Sequence, residues 1–388
     1  MSGQVFYLVT VFTFFIQGVS LSLESGLGYY AVRNTIADGR LTGFAIAWSL
    51  GAAAIAVLAL VPASALFGLG IHYPLTYPAS FICGNLLIAF GNAFCYSKYR
   101  FVLPGAVSTA VNLLLIVILL ATRQAGAADI FIPVYFFSFF ALGIVLFLFI
   151  IFGMGVRPSL RIARGELRQV FRYSLHAFTG NLLFLFINRI DYFFVERYCS
   201  SASLGNYIQV SKIAQLFFML PSMISAVLFP VIAGGRQPAA AARVRTISVM
   251  ILIVYGVLLA MLAFIGRWLF PVLYGVNFDN MFLPYILLIP GIIGISTLYP
   301  YTAYYSALDR IDVKIKGCSL ALAVIVAGDW LFIPRYGIAA AALVSSAGYL
   351  VFQQYVMSVF RKEFNLPLIK LFMLDKAGYK YILQQFKR

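Results

Sequence analysis

Charge is what this sequence has least of. Only 10% of its 388 residues are Asp, Glu, Lys or Arg, against about a quarter in a soluble domain, so a water-facing globular fold is excluded. Histidine is nearly absent, with two residues, and there are four cysteines, Cys83, Cys95, Cys199 and Cys318. The cysteines are scattered without ligand spacing, and all but Cys199 fall within or at the edge of apolar runs, where they act as small hydrophobes. Neither a metal site nor a disulfide framework is expected. Acidic residues are also scarce, 12 against 28 basic ones, giving a net charge of +16. Such an excess suggests nucleic acid, but the basic residues sit in short connections between apolar runs, where they set membrane topology, and nucleic acid is set aside.

What is present is apolar length. The chain is 63% hydrophobic, with 37 Phe and 24 Tyr, and its mean hydropathy is +0.96. A helix crosses a bilayer with about 20 apolar residues. By that rule the chain is an all-α polytopic membrane protein with eleven spans, near 4–24, 41–70, 76–96, 103–122, 129–154, 173–195, 205–233, 246–265, 281–304, 312–333 and 338–360. Pro62 and Pro221 are candidate kinks in the two long spans.

Lys and Arg concentrate in alternate connections: Arg33 and Arg40, Lys98 and Arg100, five arginines from Arg157 to Arg172, Arg236 to Arg245, Arg310 to Lys316, and the tail. The positive-inside bias makes these cytoplasmic, and with them the C-terminus. An odd number of spans then leaves the N-terminus outside. A weak internal duplication accounts for the oddity. Ala31 to Arg40 closes its span much as Ala226 to Arg236 does, and Tyr96 to Arg100 precedes a span as Tyr305 to Arg310 does. The expected organisation is an N-lobe of five spans (1–154), a basic cytoplasmic linker (155–172), a C-lobe of six spans (173–361) and an amphipathic basic tail (362–388), with the first of twelve helices missing. The linker and tail read as surface-lying segments drawn to anionic lipid.

Function is sought first in Tyr173 to Ala233, two spans that carry Asn188, Arg189, Asp191, Lys212 and Gln215. A central Arg, Lys or Asp costs about 2.5–3.5 kcal/mol to insert, so such residues face a bundle interior or a wet cavity.

In the same stretch N-R-I-D-Y-F (Asn188 to Phe193), L-G-N-Y (Leu204 to Tyr207) and L-F-P-V-I-A (Leu228 to Ala233) resemble the seventh and eighth helices of Wzx-type polysaccharide flippases of the multidrug/oligosaccharidyl-lipid/polysaccharide (MOP) superfamily. P-V-L-Y-G-V-N-F (Pro271 to Phe278), I-P-R-Y-G-I-A-A-A-A (Ile333 to Ala342) and S-G-L-G-Y-Y-A-V-R (Ser25 to Arg33) are similar to further parts of that family. The resemblance implies a MATE-like two-lobe bundle around a cavity that opens to alternate sides. It also implies transport of undecaprenyl-diphosphate-linked oligosaccharide, for O-antigen, capsule or exopolysaccharide, across the bacterial inner membrane. Such a protein needs no catalytic residue and no cofactor beyond H+ or Na+ as a coupling ion. Its partners are the lipid-linked oligosaccharide, membrane lipid, and a polysaccharide polymerase and chain-length regulator.

The cavity candidates are Arg189, Asp191, Lys212, Asn188, Gln215 and Arg33, because guanidinium and ammonium groups grip phosphate and amides bind sugar hydroxyls. Each has a structural alternative. Arg189 can pair with Asp191 or Glu196, Lys212 can snorkel, Arg33 can set topology, and the amides of Asn181, Asn188 and Gln215 can join helices. Glu24, which can pair with Arg33, and His176, read as buried, are the candidates for gating or coupling. Asp329, beside Trp330, reads as structural. Two other functions compete: a cation-coupled MATE-like multidrug exporter, disfavoured by the basic cavity, and an inactive truncated remnant. A membrane glycosyltransferase or polymerase would carry a large outer loop with catalytic acids and bases, whereas the longest outer connection, around Gly266 to Asn280, offers only Arg267 and Asp279.

Overall fold

The computed structural model describes residues 9, 12–13, 15–66, 74–121, 127–235, 237–275 and 280–372. Most of the expected tail, the loop tip at 276–279 and the start of the first expected span lie outside them. The described residues form helices and no strand. In chain order these are α1 (Leu23–Arg33), α2 (Asp38–Leu66), α3 (Thr76–Ser97), α4 (Val102–Ala121), α5 (Ala127–Leu148), α6 (Arg164–Ile187), α7 (Ile190–Tyr198), α8 (Ser201–Ala233), α9 (Gln237–Tyr274), α10 (Phe282–Ala307) and α11 (Ile311–Glu363). Among the described residues eight helical stretches are long and apolar enough to cross a membrane, and α4 supplies a shorter apolar one. Pro62 and Pro221 lie inside α2 and α8 without ending them. The chain divides into two compact units, Met1–Phe178 and Thr179–Arg388.

In the first unit α3 is the central helix, packed along α5, α2 and α1. Close approach of α3 to α5 depends on Gly84, where a Cβ would lie 2.5 Å from the backbone of Phe139 and Phe140. Phe12, Phe81 and Phe136 fill the space beside this crossing, with ring centroids 5.5–6.1 Å apart. Before α1 the chain breaks at Leu21 and Ser22, both at positive φ, and the Trp48 indole N–H donates to the carbonyl of Val19 at 2.9 Å. The stretch expected to end near residue 24 therefore carries on as α1 to Arg33.

The segment expected as an amphipathic surface linker takes another form. Residues 155–163 are non-helical, and the Ser159 N–H donates to the Gly39 carbonyl at 2.8 Å. From Arg164 onward the basic run is already α6. Glu166, in its first turn, accepts the Ala163 N–H at 3.0 Å and forms an ion pair with Arg40 at 2.7 Å. One carboxylate thus caps the helix start, as in half a capping box, and ties it to α2. Lys98 pairs with Asp38 at 2.8 Å and donates to Asn34 at 2.9 Å, fastening the end of α3 to the start of α2.

In the second unit α10 is central and packs against α11, α8 and α9. It buries Tyr285, Tyr301, Tyr304 and Tyr305 completely. The 53-residue α11 is two expected spans in one run, divided at Gly337 with φ 61° and ψ −145°. That backbone region is essentially open to glycine alone. There the chain reverses, so that Gly328 faces Val344 and Gly348 faces Ile325 across the two halves. Ser200 starts α8 by accepting the N–H of Ser203 at 3.2 Å, as an N-cap should.

Candidate functional site

The expected span 173–195 is broken in the structure. α6 ends at Ile187, α7 starts at Ile190, and Asn188 and Arg189 form the turn between them. Local chemistry favours the break: the Asn188 side-chain amide donates to the Phe184 carbonyl at 2.6 Å and competes for the helix's own acceptor. The Asn188 and Arg189 N–H groups then bond three residues back, at 3.2 and 3.0 Å, tightening the last turn. Asp191 follows in the first turn of α7, where a carboxylate complements the helix dipole, and its Oδ1 accepts the Tyr192 N–H at 2.9 Å.

Asp191 is buried, with 2% exposure. Its Oδ2 accepts a short hydrogen bond from the Tyr207 hydroxyl, at 2.5 Å, and a longer one from Ser345 Oγ, at 3.2 Å. Three elements meet on this oxygen: α7, α8 through Tyr207, and the second half of α11 through Ser345. Beside it the Tyr349 hydroxyl donates to Asn188 Oδ1 at 3.2 Å. A cavity of about 10 Å³, lined by Asn188, Tyr207, Ser211, Gln215, Phe218 and Tyr349, has room for about one water molecule and none for a sugar.

Arg189 points elsewhere. It is exposed, and its guanidinium donates to Gln215 Oε1 at 3.1 Å and to the Tyr192 hydroxyl at 3.2 Å, lying 5.3 Å from that ring's centroid. Among the described residues no ion pair joins it to Asp191 or Glu196. Lys212 is exposed one turn before Gln215 on α8. The second unit thus brings Asn188, Arg189, Asp191 and Gln215 together, with Lys212 on the neighbouring turn.

The remaining candidates belong to the first unit. The Arg33 guanidinium stacks 4.5 Å from the Tyr29 ring at the exposed end of α1. Glu24 opens the same helix, and its Oε2 is buried without a hydrogen bond. Nine residues separate Glu24 from Arg33, which puts them about 13.5 Å apart along the axis and on opposite faces, so this pair does not form. His176 is exposed rather than buried, with Nδ1 2.7 Å from the Arg172 carbonyl oxygen.

Three further residues belong to the site region. Tyr207 lies in the quoted L-G-N-Y motif, which marked the family but not the residue's contact with Asp191. Asp329 is completely buried, and neither carboxylate oxygen has a hydrogen-bond partner. Lys314, grouped in the sequence with the topological charges, lies in α11. Its ammonium donates to Asn181 Oδ1 at 2.6 Å and sits 5.5 Å from the Phe184 ring centroid. The expected span 312–333 already contained it.

This architecture is that of the MATE transporters. The chain is similar to a variant of the Vibrio cholerae MATE transporter VcmN, with a TM-score of 0.76 and 14% identity over 95% of this chain and 89% of that one. An outward-facing multidrug resistance MATE family transporter of the MOP superfamily gives 0.72 and 14%, over 94% and 87%. A MOP superfamily transporter from Pyrococcus furiosus, described as having a binding pocket of reverse polarity, gives 0.69 and 14%, over the same shares. In sequence, residues 98–283 match a family described as "Polysaccharide biosynthesis protein". No curated protein matches the chain. The family resemblance carried by the motifs is borne out in both fold and profile, and the matched stretch contains Arg189, Asp191, Lys212 and Gln215.

Proposed function

We propose that this chain flips undecaprenyl-diphosphate-linked oligosaccharide across the bacterial inner membrane by alternating access, with its C-terminus cytoplasmic. The observation that carries the reading is the state of Arg189. Within a stretch that matches a polysaccharide-biosynthesis family, an exposed guanidinium is oriented by two neutral partners, Gln215 and Tyr192, and no carboxylate neutralises it among the described residues. A planar fork held in this way keeps its charge for an anion that offers it two oxygens at once, such as a diphosphate. Lys212, exposed on the same helix as Gln215, adds a point charge to the same wall. A cationic drug would meet repulsion there, which weighs against the multidrug exporter.

The test is a cell whose surface polysaccharide depends on this protein. Arg189→Ala is expected to reach the membrane in normal amount and to abolish polysaccharide at the surface, whereas Arg189→Lys retains a fraction of output, as a point charge without bidentate geometry would. Full output from Arg189→Ala would remove Arg189 from the substrate site.

A further inference from the structure

One end of the first unit gathers its positive charge. α1, α3 and α5 finish there and α2, α4 and α6 start there, and the chain that joins α5 to α6 crosses it as a strap, residues 155–163. The strap is laid on α2 by its backbone. Gly155, at φ 69°, turns the chain out of α5. A Cβ on Gly39 would then collide with the Arg157 carbonyl oxygen, and one on Gly43 with the backbone of Ser159. With the backbone so placed, the side chains follow a three-residue rhythm: Val156, Ser159 and Ile162 are half-buried, whereas Arg157, Leu160 and Arg161 are exposed. Arg164 and Arg168, one turn apart and both exposed, carry the charge into α6.

No carboxylate pairs with any of these four arginines among the described residues. Glu166 is the only acid between residues 155 and 172, and it is taken by Arg40 and by the Ala163 N–H. Four like charges therefore stand together and await an external anion. Two large apolar side chains are set among them: Phe152, at the end of α5, is 80% exposed and Leu160 is 75% exposed.

The apolar pair decides which anion. Ile144, Val145, Leu148 and Phe149 are exposed along α5 and lead at helical spacing into Phe152, within a stretch long and apolar enough to cross a membrane. The patch is thus continuous with a flank that faces hydrocarbon, and it ends in arginines. A bilayer surface has that same order, acyl chain and then phosphate. A soluble acidic partner would match the arginines but leave Phe152 and Leu160 in water. An amphipathic helix would meet the bilayer with an apolar stripe, whereas this strap offers two apolar anchors and a row of guanidinium forks.

We propose that residues 152–168 form a docking surface for anionic phospholipid, in which Phe152 and Leu160 enter the margin of the acyl region and Arg157, Arg161, Arg164 and Arg168 hold the headgroup phosphates. Bound lipid neutralises the crowded arginines and fastens the start of α6 to the membrane surface through the same strap that grips α2. The surface belongs to the first unit alone and does not depend on the cargo.

Lipid quenching of a tryptophan placed at Phe152 tests it. The full chain carrying Phe152→Trp is put into nanodiscs of phosphatidylcholine with a minor fraction of phosphatidylglycerol, brominating one lipid or the other, and the signal of the native tryptophans is subtracted using the unsubstituted chain. Brominated phosphatidylglycerol is expected to quench as though enriched about fivefold or more around the site, the factor that even one basic side chain near an anionic surface supplies. Replacing Arg157, Arg161, Arg164 and Arg168 together by Gln should abolish the enrichment. Should that variant fail to fold, salt at about 1 M, where the Debye length is about 3 Å, should remove it from the chain with its arginines intact. The proposal is overturned if the two lipids quench equally, if the enrichment survives both the fourfold substitution and the salt, or if neither lipid quenches, the result a soluble partner site would give.

Discussion

The two units dispose of charge differently. In Met1–Phe178 the ion pairs stand where helices begin and end: Lys98 with Asp38, and Arg40 with Glu166. Between those ends the unit is packed by rings and by a glycine that lets α3 touch the backbone of α5, with polar links such as Trp48 to the Val19 carbonyl and Tyr30 to the Gln169 carbonyl, and with Glu24 buried. Thr179–Arg388 also has a pair at its helix ends, Arg310 with Glu363 at 2.7 Å, but it carries polarity into its middle as well: Asp191 with Tyr207 and Ser345, Asn188 with Tyr349, Lys314 with Asn181, and Gln353 with Thr297 at 2.7 Å. A polar group at a helix end can be served by water, while one in the bundle interior must be served by the protein.

The sharpest way to break this contrast is to attack the first unit at its closest helix crossing. Gly84→Val should cost about 3 kcal/mol or more, because the added atoms meet backbone that cannot turn aside, and it should show as loss of folded protein and a large fall in Tm in detergent. Tyr207→Phe removes a hydroxyl from the buried carboxylate of Asp191 at nearly constant volume. It should lower stability by about 1.5–3 kcal/mol, the range for a hydrogen bond to a charged group, and be read as a smaller Tm shift. Arg40→Ala breaks an ion pair whose side chains are 44% and 22% exposed, and should cost about 0.2–1 kcal/mol, discounted by solvent screening and weakened further by salt. An Arg40→Ala effect equal to that of Tyr207→Phe would erase the distinction between the units.

Much of this architecture was legible in the sequence. Hydropathic length places α2 to α4, α8 and α10 closely, but it starts α6 nine residues late, misses the break before α7 and trims nine residues from each end of α9; the pair of spans in α11 is read correctly although no loop separates them. The charges of N-R-I-D-Y fall at the turn where Arg189 reaches Gln215 and Asn188 meets Tyr349. What length and hydropathy do not reveal is which side of a helix faces inward. In a bilayer the lipid-facing side is as apolar as the core, so the polar stripe that orients a helix in water is blunted. Asp329, beside the interfacial residue Trp330, therefore reads as structural, and nothing in the sequence says that its oxygens are left without partners. Lys314 falls inside the expected span 312–333, yet it is counted with the cytoplasmic charges because the positive-inside tally runs past the helix start. The turn at Asn188 and Arg189 is invisible to hydropathy, since it comes from one amide competing for one carbonyl.

At Gly337 the two halves of α11 meet with no intervening loop. Most membrane hairpins absorb an inserted or deleted residue in their connection. Here there is nothing to absorb it, and a single added residue would turn the downstream half by about 100°. Ser345, Ser346, Tyr349 and Gln353 would then leave Asp191, the Leu287 carbonyl, Asn188 and Thr297 together. The constraint at this tip is on the count of residues: the hairpin works as a vernier whose zero is set by chain length.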